Sequence, residues 1–166
     1  MKAKIIDFLQ AEPGKYVSGA QLSTLLGVSR TAIWKHIQQL RQMGYVIDSS
    51  PQKGYQLVES PDYLYPWEVA KGLQTSFLGR QIHHVLETES TNDWAKAAAR
   101  AGELPGTLFI AERQTQGRGR RGRTWLSPQG GLYFSFILRP KISPRYAPQI
   151  GIVIALGLYQ ALTACS

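Results

Sequence analysis

The chain has 166 residues, a net charge of +8 and 43% hydrophobic residues, which provides apolar material for one or two globular domains and excludes a disordered tail. Its single cysteine, Cys165, excludes an internal disulfide and is typical of a reducing, cytoplasmic setting. The N-terminus has no signal peptide, and the longest apolar stretch, residues 150–159, is shorter than the roughly 20 residues of a membrane helix, so we expect a cytoplasmic protein without a membrane span.

Positive charge is present in both halves of the chain. Residues 1–60 carry seven Lys/Arg against four Asp/Glu, and residues 61–166 carry twelve against seven. In the second half, five arginines between Arg113 and Arg123 account for most of the excess. A polyanion or a phosphate is therefore an expected partner for each half.

Three amphipathic helices are predicted at the start of the chain. Apolar residues recur at spacings of three and four in three segments, which are residues 2–10, 18–27 and 30–44. Ser18 and Ser29 are expected to cap the second and third helices, and Gly27 and Gly44 to end them. A helix, a tight turn and a second helix form a helix-turn-helix.

Two apolar-rich segments between residues 45 and 58 flank a Ser/Pro/Gly turn, which predicts a β-hairpin with Lys53 at its tip. Residues 1–60 are therefore predicted to form a winged helix-turn-helix domain. Side chains near the start of a recognition helix reach base edges in the major groove. Seven residues are expected to bind DNA: Ser29, Arg30, Thr31, Trp34, Lys35, Gln38 and Lys53. The alternative is a small helical domain whose basic face contacts proteins.

A second domain of residues 66–166 is predicted to follow a proline-containing linker at residues 61–65. Its helices and strands alternate, which indicates an α/β (α+β) fold. We predict helices at 67–74, 90–102 and 145–164, and strands at 81–87, 106–113 and 130–138. The third strand is nearly all apolar, so we expect it to be buried on both faces. The last helix is apolar on most sides and needs neighbours all round, so the domain is interpreted as unfinished.

Arginines and glycines alternate in the segment that we call the Arg/Gly loop, residues 117–125. Glycines allow backbone N–H groups to approach a ligand, and arginine forks pair with carboxylate and phosphate oxygens. Together they favour a ligand with both groups, such as an acyl-adenylate. Gln114 can donate and accept at the end of a strand, and Trp125 offers a flat face. Three polar side chains stand at a strand-to-helix junction that favours anions: Ser90, Thr91 and Asn92.

These features have simpler alternatives. An Arg/Gly run also occurs in solvated or RNA-binding segments. Ser90 and Thr91 also suit helix caps, and Trp125 also suits a core. His83 and His84 have no acidic or cysteine partners at metal-ligand spacing, so no metal site is expected there. No Walker loop is present, because no Gly-Lys-Ser/Thr follows the glycines.

The order of winged helix, "ESTND" and "AERQTQGRGRRGRTWLSPQGGLYFS" resembles the biotin protein ligases, and within them the bifunctional branch that also represses the biotin operon. The resemblance covers nearly the whole chain. It implies activation of biotin with MgATP to biotinyl-5'-AMP, with Mg²⁺ as metal, and transfer of biotin to a lysine of the biotin carboxyl carrier protein. It also implies operator DNA as a partner and a homodimer as the assembly.

The resemblance assigns roles to individual residues. The biotin ring system would contact Ser90, Thr91 and Asn92. The carboxylate side of biotin and the adenylate would be held by four residues, which are Gln114, Arg118, Gly119 and Arg120. Of these, Arg118 and Arg120 are the expected catalytic residues. The rest of the adenylate loop would comprise Gly117, Arg121, Gly122, Arg123 and Trp125.

The family also has a Lys-Trp-Pro-Asn-Asp segment, further central strands and a small C-terminal β-barrel, and these 166 residues contain none of them. We therefore expect this chain to be a fragment with little or no ligase activity. Two alternatives remain, namely a biotin-responsive transcription factor without ligase activity and a general nucleic-acid binder that uses the Arg/Gly loop.

Overall fold

The computed structural model describes residues 1–164, and at Arg120 the backbone alone. Cys165, the predicted unpaired cysteine, lies outside the described residues. The described chain forms an N-terminal unit of helices with a two-stranded hairpin, followed by a unit built on a three-stranded sheet.

The N-terminal unit confirms the predicted helix-turn-helix. Its helices are α1 (Lys2–Ala11), α2 (Gly19–Leu26) and α3 (Arg30–Gln42). The hydroxyl of Ser18 accepts a hydrogen bond from the N–H of Gln21, and the hydroxyl of Ser29 accepts one from Ala32. The apolar stripes of the three helices meet in one core, whose fully buried members include Ile5, Ile6, Leu9, Leu22, Ile33, Ile37 and Leu40.

The predicted hairpin is also confirmed and forms the wing, β1 (Val46–Ser50) paired antiparallel with β2 (Gly54–Glu59). Three contacts hold the wing against the helical part of the unit. Val17 bridges Tyr55, the Tyr16 hydroxyl donates to Asp48, and the Arg41 guanidinium donates to the Ile47 carbonyl from Nε at 3.0 Å and Nη2 at 2.6 Å. The wing is therefore fixed relative to α3.

The cap of α2 gives a direct test of this helical unit. Ser18→Ala is expected to lower the free energy of unfolding by about 1 kcal/mol, because the N–H of Gln21 loses its acceptor. Urea unfolding followed by circular dichroism measures the change. Thr24→Ala, an exposed substitution within the same helix, is the control and should not destabilise. An unchanged free energy for Ser18→Ala would contradict the capping role.

The segment between the two units packs closely against both. Tyr65 is buried in the N-terminal core, and its hydroxyl donates to the carbonyl of Met43 at 2.7 Å. Helix α4 (Pro66–Ala70) follows; it ends earlier than the predicted 67–74, because Lys71 is extended and Gly72 has φ +77°. The predicted linker at 61–65 and the domain limits drawn from it remain predictions.

The second unit has a sheet with the strand order β3-β4-β5, formed by β3 (Ile82–Thr88), β4 (Leu108–Gln114) and β5 (Tyr133–Phe136). β3 and β4 are parallel, and β5 is antiparallel to β4. Helix α5 (Thr91–Arg100) packs on the sheet through Ala95, which meets Phe109 and Ile137. The expectation that residues 130–138 form a strand buried on both faces is wrong. β5 is four residues long, and all four residues are half-buried, because they line the open cavity instead of being covered on both sides.

Helix α6 (Ala147–Ala164) confirms the predicted last helix, and none of its residues is buried. Ile152 is 70% exposed and Val153 69%. With the preceding turn, Pro144–Ala164 has 21 residues and a mean hydropathy of 1.4, so by length and composition alone it is able to cross a membrane. The helix is longer than its continuous apolar stretch, residues 150–159, and the expectation of a protein without a membrane span stays a prediction.

Candidate functional site

The predicted ligand residues meet where β3 and β4 end. The two strands are parallel, and α5 begins directly after β3, so Thr88, Thr91 and Gln114 lie at one edge of the sheet. Ligands of α/β sheets bind beyond the carboxyl ends of parallel strands. A cavity of about 530 Å³ opens here, with Thr91, Asn92 and Gln114 at its polar end. Apolar side chains of β5 and α6, among them Phe134 and Leu158, form its wall.

Gln114 connects three parts of the site. Its Oε1 accepts hydrogen bonds from the backbone N–H of Thr91 at 2.8 Å and from the Thr91 hydroxyl at 3.2 Å. Its Nε2 donates to the Ser127 hydroxyl at 3.0 Å, and the Thr91 hydroxyl also meets that of Ser135 at 3.0 Å. The amide of Gln114 is therefore engaged with protein groups, and it joins the start of α5 to the end of the Arg/Gly loop. Its predicted contact with the ligand stays a prediction.

The Arg/Gly loop is an ordered hairpin. Isolated bridges join Gln114 to Ser127 and Arg118 to Thr124. The N–H of Gly119 donates to Arg123 O at 2.7 Å, and the N–H of Trp125 donates to Gly117 O at 2.8 Å. Its tip is a short 3₁₀ turn, Arg120–Gly122, in which Arg121 has φ +60° and Gly122 φ +73°. The side chains of Arg121 and Arg123 are exposed, and that of Arg120 lies outside the described part of the chain.

Gly117 lies at the base of this hairpin, where there is no room for a side chain. A Cβ at this position would be 2.5 Å from the Ser127 hydroxyl and 2.5 Å from the Trp125 carbonyl oxygen. Real Cβ atoms essentially never approach other atoms so closely. Glycine at position 117 therefore allows the two arms of the loop to meet.

Arg118 faces a carboxylate that the sequence analysis did not single out. Its Nη2 lies 3.1 Å from Asp93 Oδ2, and the two side chains are 65% and 39% exposed. Asp93 stands in the first turn of α5, where the helix dipole favours a negative charge. An acidic residue at the start of a predicted helix was therefore the sequence signal that could have identified Asp93. The ion pair is open to solvent, so an incoming anion is able to compete with Asp93 for Arg118.

The other predicted contacts differ in accessibility. Ser90 and Thr91 are buried, and the Ser90 hydroxyl accepts from the N–H of Asp93 at 3.4 Å, so Ser90 is a helix cap. Asn92 is exposed at the cavity. Trp125 is 63% exposed and lines the cavity, so the alternative that it is a core residue is wrong.

The histidines of β3 have carboxylate neighbours that sequence spacing did not reveal. His84 Nε2 lies 2.6 Å from Glu112 Oε1, with both side chains 7% exposed, and His83 Nε2 lies 3.6 Å from Glu103 Oε2. Parallel pairing of β3 with β4 brings His84 and Glu112 together although 28 residues separate them. Within residues 1–164, no group of three or more His, Cys, Asp and Glu is placed to hold a metal ion.

Glu112 and His84 also contact the N-terminal unit, and we call Leu64, Tyr65, His84 and Glu112 the interdomain junction. The N–H of Leu64 donates to Glu112 Oε1 at 2.8 Å, and the ring of Tyr65 lies edge-on to that of His84 with centroids 5.0 Å apart. Burial raises the pKa of the Tyr65 phenol, and Tyr63 and Glu112 add to the effect. The phenol therefore stays protonated and continues to donate to Met43.

The predicted DNA-binding residues form a second candidate site on the wing and α3. Ser29, Arg30, Thr31, Trp34, Lys35 and Lys53 are exposed, and Gln38 is half-buried. A cleft of about 520 Å³ runs between α3, the start of α2 and the wing, lined by Arg30, Trp34 and Arg41 among others. Lys53 lies at the tip of the wing, with its Nζ 5.6 Å from the centre of the Tyr16 ring.

Comparison with known proteins separates the same two parts. Residues 2–56 match a family described as an HTH domain, and residues 69–165 match the biotin/lipoate A/B protein ligase family. The bifunctional ligase/repressor BirA of Bacillus subtilis is 37% identical over 165 residues, which cover 98% of this chain and 50% of the relative. BirA of Escherichia coli is 41% identical over 150 residues, which cover 89% and 44%. The chain thus spans about half the length of the curated relatives it matches.

Among solved structures, a biotin protein ligase from Aquifex aeolicus in complex with biotin and ATP shares 45% identity with this chain. The alignment covers 37% of this chain and 25% of the ligase, with a TM-score of 0.32.

Proposed function

The chain belongs to the biotin/lipoate A/B protein ligase family, and on that premise we propose that it is part of a biotin protein ligase that doubles as a DNA-binding repressor of biotin synthesis genes. The ligase adenylates biotin with MgATP to biotinyl-5'-AMP and transfers biotin to a lysine of the biotin carboxyl carrier protein. The observation that carries this proposal is the Arg/Gly loop, held by Gln114 and Gly117 at the mouth of a cavity that is partly apolar.

The cavity supports biotin as the acid. Its apolar wall suits the alkyl chain and the flat side of a bicyclic ring, and its polar end offers hydrogen bonds to the ring's polar atoms. Asn92 is exposed at that end, whereas the Thr91 hydroxyl is already bonded to Gln114 and Ser135. We therefore propose Asn92 as a direct contact and Ser90 and Thr91 as residues that shape the pocket.

The Arg/Gly loop supports the adenylation step. A carboxylate oxygen of biotin attacks the α-phosphorus of ATP, the bond to the β-phosphate breaks and pyrophosphate leaves. Both reactants are anionic, so the step needs fixed donors at the developing charge, and the loss of one such donor commonly costs about 3 kcal/mol of barrier. Arg118 would exchange its Asp93 partner for phosphate or carboxylate oxygens. Arg120, Arg121 and Arg123 remain proposed contacts of the closed loop.

The second step is acyl transfer. The amine of the carrier lysine attacks the acyl carbon of biotinyl-5'-AMP, and AMP leaves. A closed Arg/Gly loop with Trp125 over the nucleotide would keep water from the mixed anhydride. Mg²⁺ would arrive bound to ATP and would neutralise phosphate charge; in the described chain no acidic or histidine cluster offers it a resident site.

The winged helix supports the repressor role. It presents α3, the wing and three exposed cations, Arg30, Lys35 and Lys53, to a groove of DNA, and the half-buried Arg41 lines the cleft beside them. We propose that the protein binds its operator as a homodimer, because two copies double the number of phosphate contacts. Adenylate that orders the dimer surface would strengthen operator binding by linkage.

We propose a cytoplasmic location and regard α6 as a helix of the ligase domain rather than a membrane span. The matched family region extends to residue 165 and so includes the whole helix. A helix of this composition also occurs in the core of soluble proteins, so its hydropathy alone does not argue for a membrane.

Ligand binding tests the proposal. Isothermal titration of the chain with a nonreactive biotinyl-5'-AMP analogue should show saturable binding. Arg118→Ala should weaken it about 10- to 100-fold, because hydrogen bonds between charged groups contribute about 1.5–3 kcal/mol. Arg80→Ala, an exposed arginine outside the loop, is the control and should bind as the unchanged chain does.

A carrier-protein biotinylation assay separates the alternatives. The 166-residue chain is expected to give little or no turnover, because it spans about half the length of the relatives it matches, whereas a longer protein of the relatives' full length should turn over. Binding without turnover by the longer protein would favour a biotin-responsive transcription factor. If the protein of the relatives' full length binds neither biotin nor the biotinyl-5'-AMP analogue, that result would favour a general nucleic-acid binder and contradict the ligase proposal.

A further inference from the structure

Three side chains with polar ends lie in a row on α3, beside the wing. Trp34, Gln38 and Arg41 are spaced four and three residues apart, so they lie on one face of the helix. Arg41 is anchored, because its Nε and Nη2 donate to the carbonyl of Ile47 in β1 at 3.0 and 2.6 Å. Trp34 and Arg41 line the cleft of about 520 Å³ in which the candidate nucleic-acid interface lies.

The neighbours of Gln38 determine how its amide is oriented. One end of the amide lies 3.3 Å from Trp34 Nε1 and 3.0 Å from Arg41 Nη1. An indole N–H and a guanidinium are donors with no capacity to accept a hydrogen bond. The amide oxygen of Gln38 therefore faces both groups, and its NH₂ group points away from them.

This orientation changes what Gln38 offers to DNA. A free glutamine recognises adenine bidentately, because it donates to N7 and accepts from the N6 amino group. The acceptor of Gln38 is already used by Trp34 and by the charged Arg41, so only its two N–H donors are left. In the major groove, guanine presents two adjacent acceptors, N7 and O6, whereas thymine presents O4 alone, adenine presents N7 beside its N6 amino donor, and cytosine presents an amino donor.

We propose that Gln38 is a donor-only specificity residue that selects guanine, the base with two adjacent acceptors, over adenine, cytosine and thymine at one position of the bound DNA. This inference rests on the proposed DNA-binding function. Trp34 complements it: its N–H is occupied and its ring is 53% exposed, so it presents an apolar surface that suits a thymine methyl group or a deoxyribose.

Selection from a random-sequence duplex library by the purified chain tests the proposal. The enriched sequences should contain one position where guanine exceeds each of the other bases by about fivefold or more. Gln38→Met, which keeps the length of the side chain but has no donors, should abolish the preference at that position. Gln39→Met is the matched control, because Gln39 is exposed and its amide meets His36 instead of this row.

A second variant tests whether the base preference arises because the amide oxygen of Gln38 is occupied. Trp34→Phe removes one of the two donors that occupy the Gln38 oxygen, so adenine should become enriched at the same position. Circular dichroism of each variant verifies that α3 is retained.

Three outcomes would overturn the inference. A Gln38-dependent position that selects adenine in the unchanged chain would show that the oxygen is free. Enrichment that is the same for the unchanged chain and for Gln38→Met would exclude Gln38 as a specificity residue while leaving DNA binding intact. A library with no enriched sequence at all would contradict the proposed DNA-binding function, and this inference with it.

Discussion

Glu112→Ala is expected to lower the free energy of unfolding by about 3 kcal/mol, because it leaves buried hydrogen-bond donors without their shared acceptor. The carboxylate is 7% exposed, lies 2.6 Å from His84 Nε2 and accepts from the N–H of Leu64 at 2.8 Å. Alanine would leave both donors buried without an acceptor. Urea unfolding followed by circular dichroism and by tryptophan fluorescence measures the loss.

The matched control is Glu87→Ala. Glu87 is paired in register with Arg113, and its Oε2 lies 2.8 Å from Arg113 Nη2, but the two side chains are 51% and 55% exposed. Exposed pairs contribute about 0–1 kcal/mol, so this variant should lose far less than Glu112→Ala. Equal losses for the two variants would contradict the importance of burial at the interdomain junction.

Gly117→Ala is expected to weaken binding of the biotinyl-5'-AMP analogue by about 100-fold, since a displacement of about 1 Å in a positioned site commonly has an effect of that size. The added methyl group would lie 2.5 Å from Trp125 O and from the Ser127 hydroxyl. To relieve that clash the arms must separate, which breaks the bond from Trp125 N to Gly117 O at 2.8 Å. Isothermal titration measures the affinity.

Alanine substitutions at two other glycines are expected to weaken ligand binding less than Gly117→Ala does. At Gly119 the nearest atom to an added Cβ is Arg123 O at 3.3 Å, so Gly119→Ala needs only a small adjustment and should weaken binding by about tenfold or less. At Gly151 in α6 nothing lies within 4 Å of the added Cβ, and Gly151→Ala should bind as the unchanged chain does. If all three variants bind equally well, the close approach at Gly117 has no role in ligand capture.

The N-terminal unit was predictable because its signals are local. Serine caps, glycine stops and apolar spacings of three and four act within one or two helical turns, and the structure has the helices α1 to α3 where these signals place them. The strand before the Arg/Gly loop and the cap of α5 at Ser90 were predictable for the same reason. The roles of the loop arginines stay predictions.

The features that the sequence did not reveal depend on contacts between distant residues. Nothing near His84 indicates that parallel pairing brings Glu112 to it, and nothing near Gln114 indicates that Thr91 and Ser127 occupy its amide. The apolar run of β5 indicated burial on both faces, but sheet order places it at an edge. Residue type identified Gln114 correctly as part of the site, and only the fold shows what its amide contacts.

The interdomain junction limits how the DNA-binding domain of such a protein can be exchanged for that of another protein. By sequence, the predicted DNA-binding domain ends at residue 60 and looks exchangeable for the same domain of another protein; we call this domain the head. A foreign head grafted in place of residues 1–65 would keep a backbone N–H at position 64 unless proline stands there, but it would remove the Tyr65 ring that lies against His84. Exchange of heads, in the laboratory or by gene fusion, therefore has to avoid proline at position 64 and has to transplant Tyr65 together with the head, or replace His84 at the same time.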